Sequence, residues 1–126
     1  MKTITINTTK RNEMIDITSK VESFVEKDCN AVVVFVPHTT AGVTINENAD
    51  PSVESDMLRK LSELIPKNDG YDHLEGNSDS HLKASFFGSS VHVIVEEDKL
   101  VLGTWQGIFF CEFDGPRTRK VFVKCI

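Results

Sequence analysis

With 126 residues and a net charge of −5, the chain is the size of one domain and too acidic for a protein whose main work is gripping nucleic-acid phosphates. Its 40% hydrophobic and 26% charged residues belong to a chain that folds rather than to a disordered one. The longest apolar run, residues 31–36, falls far short of the roughly 20 residues of a bilayer span, so no membrane partner is expected.

The start alternates Ile4 and Ile6 with polar neighbours, which predicts a half-buried strand over 2–8 and no signal peptide. Met14 among polar neighbours predicts a second strand over 13–17, pairing with the first as a hairpin. Ser19-Lys20-Val21-Glu22 reads as a capping box, and Val21, Phe24 and Val25 at helical spacing carry that helix to residue 28. Residues 31–36 are continuously apolar and largely β-branched, the pattern of a strand covered on both faces, which Pro37 ends. A strand over 42–46 follows. Asp50 then caps a helix that Pro51 opens, with Val53, Met57, Leu58, Leu61, Leu64 and Ile65 as its apolar stripe. A polar loop over 67–79 leads to a third helix, 80–87, capped by Asp79 or Ser80 and closed by Gly88. Strands are expected at 91–96, 100–103, 108–113 and 121–126, joined at 97–98 and 114–116 by turns short enough for hairpins. Helices in the middle and consecutive strands at the end make this a single α+β domain over 1–126, its sheet largely antiparallel.

Cys29, Cys111 and Cys125 are widely spaced among apolar neighbours and form no Cys-x-x-Cys pair. They read as small buried thiols, in keeping with a reducing cytoplasm.

Four polar clusters are candidates for chemistry. His38-Thr39-Thr40 leaves the buried strand, where a rigid scaffold holds a loop that can carry a site, and Gly42 allows close approach of backbone amides to a ligand. Asn46 and Glu47 follow the next strand, and an acid there can hold a cation or act as a base. Residues 72–81 hold two imidazoles, His73 and His81, with Asp72, Glu75 and Asp79, at a spacing that matches no closed zinc motif. The fourth cluster is Gly103-Thr104-Trp105-Gln106-Gly107 with Glu112, Asp114, Arg117 and Arg119 downstream. Its Trp reads as core and its two arginines as a clamp for an anion. His92, between two valines, reads as an outward strand residue.

At these positions the chain resembles the YjbQ family. The matching segments are His38-Thr39-Thr40-Ala41, Asn46-Glu47 with Asp50-Pro51, Asp56, Asp72-His73, Asn77-Ser78-Asp79-Ser80-His81, Gly103-Thr104-Trp105-Gln106, and Glu112 to Arg119. Where the family usually reads Asn-Ala-Asp-Ala-His, this chain has serines at 78 and 80. The resemblance implies a small α+β protein that assembles as a homotrimer. It also implies a thiamine-phosphate-synthase type of activity, joining an aminopyrimidine diphosphate to a thiazole phosphate with release of pyrophosphate. Carried over by position, His38, Glu47, His73 and His81 become catalytic residues. Thr39, Thr40, Asn46, Trp105, Gln106, Arg117 and Arg119 become contacts for a small phosphorylated substrate. His38, His73, His81 and Asp79 become ligands of a divalent metal: zinc if imidazoles dominate, magnesium if carboxylates such as Glu47, Asp50, Asp56 or Asp79 do. Two other readings stay open: a metal-dependent hydrolase, and a non-catalytic trimer that binds a small ligand.

Overall fold

The computed structural model describes residues 1–126 as three layers: a five-stranded sheet, a three-stranded sheet, and helices on the outer face of the second. The elements are β1 (Lys2–Asn7), β2 (Glu13–Asp16), α1 (Thr18–Glu22), β3 (Ala31–Phe35), β4 (Ala41–Glu47), α2 (Pro51–Leu64), α3 (Ser78–Phe87), β5 (Ser90–Glu96), β6 (Lys99–Leu100), β7 (Gln106–Glu112) and β8 (Thr118–Cys125). The sheets run β1-β8-β3-β5-β6 and β2-β7-β4, antiparallel throughout, so the α+β class holds. No helix is long and apolar enough to cross a membrane.

Period-two alternation decides which side chains meet between the sheets. Ile4 and Ile6 of β1, Val32 and Val34 of β3, Val93 and Val95 of β5, and Val121 and Val123 of β8 face Val43, Ile108 and Phe110 of the smaller sheet. The opposite face of the smaller sheet presents Met14, Phe109 and Cys111 to Ala84 and Phe87 of α3 and to Met57, Leu58 and Leu61 of α2. The three-stranded sheet is thus the layer buried on both faces, and every residue of β7 from Gly107 to Glu112 is buried. β3 is not such a strand. Val32 and Val34 are buried, whereas Phe35 is 42% exposed on an outer apolar face shared with Met1, Val33, Phe122 and Ile126.

Two of the expected hairpins, 2–8 with 13–17 and the one across 114–116, are absent, for one reason. β7 is flanked by β2 and β4, so β8 finds no open edge there and crosses to the other sheet, where it lies between β1 and β3. β1 consequently pairs with β8 and β2 with β7. The 97–98 hairpin does form, with Glu97 and Asp98 both at positive φ, the geometry a two-residue turn requires.

α1 is shorter than its spacing predicts. Its start is held by Asp16, whose Oδ1 accepts from the Thr18 backbone N–H, and Glu22 accepts from the Leu100 N–H instead of reaching back to Ser19. Asp50 does cap α2, accepting from the Ser52 N–H at 2.9 Å. α3 begins earlier than expected, with Asn77 at its cap position, so Asp79 and Ser80 lie inside its first turn. Only Cys111 is a free buried thiol. Cys29 and Cys125, 96 positions apart, form a disulfide, because the register Val32↔Cys125 brings the end of β8 beside the entry to β3, with the two Cα atoms 5.4 Å apart. The reading of three thiols is corrected accordingly.

Candidate functional site

Pro37 ends the β3 ladder one step before the loop that carries His38. That loop is fastened by two successive residues of β8. The Lys120 backbone N–H donates to His38 Nε2 at 3.0 Å, and the Arg119 guanidinium donates to Thr40 Oγ1 at 2.8 Å and to the Thr40 carbonyl at 3.3 Å. Arg119 is 2% exposed. Its charge is met by Glu112, itself 0% exposed, through Nε at 2.9 Å from Oε1. Glu112 also accepts from the Thr8 hydroxyl and from the Phe113 and Asp114 N–H groups, so this buried pair has its lone pairs filled.

The second wall is α3, whose C-terminal end is stitched to β4. The Gly88 carbonyl accepts from the Val43 N–H at 3.1 Å. Gly42 makes that approach possible, since a Cβ there would sit 2.6 Å from the Gly88 oxygen. The close neighbour of Gly42 is therefore the helix end and not a ligand. Packed this way, α3 and the 38–41 loop enclose a hollow of about 430 Å³ lined by His38, Thr39, Ala41, His81, Ser85 and Ser89, among others. A second hollow of about 370 Å³ lies against it, lined by Tyr71, Asp72, His73, Ser78, His81 and Leu82. His81 borders both, and the His73 ring stands edge-on to it with centroids 5.4 Å apart. His38 and His81, 43 positions apart, thus line one hollow and His73 and His81 the adjoining one, a two-lobed groove with hydroxyl groups along it.

Charge behind the groove is locked in place. Asp79 is fully buried and takes both Arg11 nitrogens at 2.9 Å and the Lys83 ammonium at 2.9 Å. Burial would raise its pKa, but the hydrogen bonds from Arg11 and Lys83 outweigh that and hold it at about 2. The His38 pKa is pushed down, first by burial and then by the nearby Arg119 charge.

The metal expectation can be tested on these contacts. The Nε2 of His38 is occupied by a backbone amide, and Asp79 spends its oxygens on two cations and lines neither hollow. His73 and His81 remain, short of the three protein ligands that a catalytic zinc site uses, and no three His, Cys, Asp or Glu side chains of the chain are arranged to hold one ion. The residues do not fit a resident metal within one chain, and no step is routed through one.

Other expected site residues fall elsewhere. Arg119 and Thr40 are buried supports, and Arg117 pairs with Asp114 at 3.0 Å. Glu47, Asn46, Gln106 and Trp105 sit at the opposite end of β4 and β7, where Glu47 pairs in register with Gln106. Six residue steps of strand put Glu47 about 20 Å from Ala41. There Glu47 joins Asp16, Asp50 and Glu54 around a small acidic hollow of about 140 Å³. Trp105 is 62% exposed, so it is not core, and the Gln106 side chain accepts from the Gly103 N–H within its own loop. His92 is exposed, as expected of an outward strand residue. Ser85 and Ser89 went unmarked in the clusters. Helical spacing is the signal for the first, since Ser78, His81 and Ser85 follow i, i+3, i+7 along one face of α3. Arg11, the partner of Asp79, carries no such signal.

Comparison with known proteins gives a consistent picture. The family described as "UPF0047 protein YjbQ-like" matches residues 2–126. The chain is 56% identical to the UPF0047 protein YugU of Bacillus subtilis over 98% of its own length and 97% of that protein's. It is also 56% identical to the UPF0047 protein MJ1081 of Methanocaldococcus jannaschii, over 96% and 90% respectively. Its fold superposes on an uncharacterized conserved protein of the YjbQ/UPF0047 family from Clostridium acetobutylicum, with a TM-score of 0.97, 53% identity and full coverage of both chains. The conserved hypothetical protein TT1486 from Thermus thermophilus follows the same path at a TM-score of 0.95 and 41% identity, again over all of both chains.

Proposed function

This chain belongs to the YjbQ/UPF0047 family, and from that premise we propose that the groove between the 38–41 loop and α3 is the active site of a transferase acting on a small phosphorylated substrate. The reaction class is the thiamine-phosphate-synthase type that the resemblance implies. The pyrimidine methylene carbon leaves pyrophosphate and bonds to the thiazole nitrogen, and negative charge grows on the departing oxygen. The observation that carries the reading is His81 shared by two adjoining hollows, with His38 on one side and His73 on the other. Two lobes suit two reactants. The hydroxyls of Thr39, Ser85 and Ser89 and the imidazole N–H groups supply donors for phosphate oxygens, and donors aimed at developing charge are the largest single source of rate in such sites. His81, bordering both lobes, is the proton donor for the leaving group, a role worth about 10²–10⁴-fold.

Assembly as a homotrimer belongs to the same reading. Support comes from the outer face of the five-stranded sheet, where Met1, Val33, Phe35, Phe122 and Ile126 form an apolar surface that no element of the chain covers.

The purified protein, supplied with an aminopyrimidine diphosphate and a thiazole phosphate, is expected to release pyrophosphate and form the joined product. His81→Ala is expected to lose about two or more orders of magnitude in kcat. A folded wild-type protein that forms no product sinks the proposal.

A further inference from the structure

His38 is held differently from the other two imidazoles of the groove. A backbone amide always carries its hydrogen, so the nitrogen facing the Lys120 N–H, His38 Nε2 at 3.0 Å, must present a lone pair. The ring's proton is therefore on Nδ1, which has no partner in the protein, while the ring lines the larger lobe beside Thr39, Ser85 and Ser89. The support for this state is built in. Lys120 N–H lies where β3 no longer continues beside β8, and the same loop is pinned one residue along by Arg119 on Thr40. Burial and the Arg119 charge also disfavour a positive ring.

We propose that His38 is a fixed neutral hydrogen-bond donor, presenting Nδ1–H to an oxygen of a phosphate or pyrophosphate group in the larger lobe, and is neither the base nor a metal ligand of the site. The proposal rests on the phosphorylated-substrate reading above and divides the labour of the groove. His38 binds and orients an anionic oxygen with its proton retained, and proton transfer falls to His81. Arg119 and Glu112 are positioning residues that act through the 38–40 loop and do not touch the ligand.

Nitrogen-15 NMR of the histidine-labelled full chain reads the tautomer directly, and titration with inorganic phosphate and pyrophosphate reads the contact. We expect a neutral His38 with its proton on Nδ1 in the free protein, still neutral when pyrophosphate saturates the lobe. Two variants separate ligand contact from loop support. His38→Asn keeps an N–H near the Nδ1 position and is expected to bind pyrophosphate within about threefold of wild type. His38→Gln keeps an acceptor near the Nε2 position for Lys120 but places no donor at Nδ1, and is expected to lose tenfold or more. A proton found on Nε2, an imidazolium in the bound state, or the reverse ranking of the variants overturns the proposal while leaving the groove as a phosphate site. Wild-type protein that binds neither anion overturns the reading of the groove, and this role with it.

Discussion

The two ends of β4 carry opposite chemistry. At Ala41 the strand opens into a groove of imidazoles and hydroxyls, and behind it Glu112 is held by Arg119 and Asp79 by Lys83 and Arg11. At Glu47 it opens into carboxylates beside an exposed Trp105, in an end stiffened mostly by local bonds such as Asp50 on Ser52 and Asn46 on Glu47. The difference is one of commitment. Long-range contacts hold the first end in a single shape, whereas the second is made of side chains that answer mainly to their own loop.

Substitutions should separate the ends in order of effect. Glu112→Ala strands Arg119 inside the protein without its counter-charge, and denaturant unfolding should show a loss of about 3–5 kcal/mol. Refolding with unchanged stability would mean that the pair is not buried. Asp79→Asn should cost about 2 kcal/mol at neutral pH, the equivalent of the depressed pKa. Its sign in acid follows from the same shift. The wild-type contribution is complete above the ordinary aspartate range near pH 4 and is lost as pH falls toward about 2, so the variant's unfolding curve should lack that segment of acid dependence. At the other end, Asp50→Ala removes only an exposed helix cap, and thermal unfolding should register a smaller loss than either buried-charge variant. Glu47→Gln should leave stability and the pyrophosphate affinity of the groove within about twofold of wild type, since about 20 Å of strand separates them. A tenfold loss of affinity would instead show that the acidic end of one copy completes the groove of another, and the contrast would have to be redrawn between subunits.

Much of the architecture could be read along the chain wherever local chemistry decides it. Alternating Ile4 and Ile6, the Asp50-Pro51 start of α2 and the Gly88 end of α3 each depend on neighbours within a few positions, so their elements stand where expected. The pairing of strands was hidden, because a short turn such as 114–116 permits a hairpin but cannot reveal that β7 already has partners on both edges. The same limit applied to the site. His38, His73 and His81 stood out as residue types, and His81 lines one hollow with His38 and another with His73, but nothing local distinguished Arg119, which supports the loop from inside, from an arginine open to a ligand.

Residue order by itself determined the α+β class, the family and the three imidazoles, since periodicity, caps and short motifs are properties of adjacent positions. Only tertiary structure decided which groups are free to react. Asp79 is neutralised by Arg11 from 68 positions away, His38 is fixed by an amide 82 positions away, and Glu47 is carried to the far end of the sheet. Burial and hydrogen-bond partners set the charge and proton of a side chain, and both are assigned by distant parts of the chain meeting in the fold.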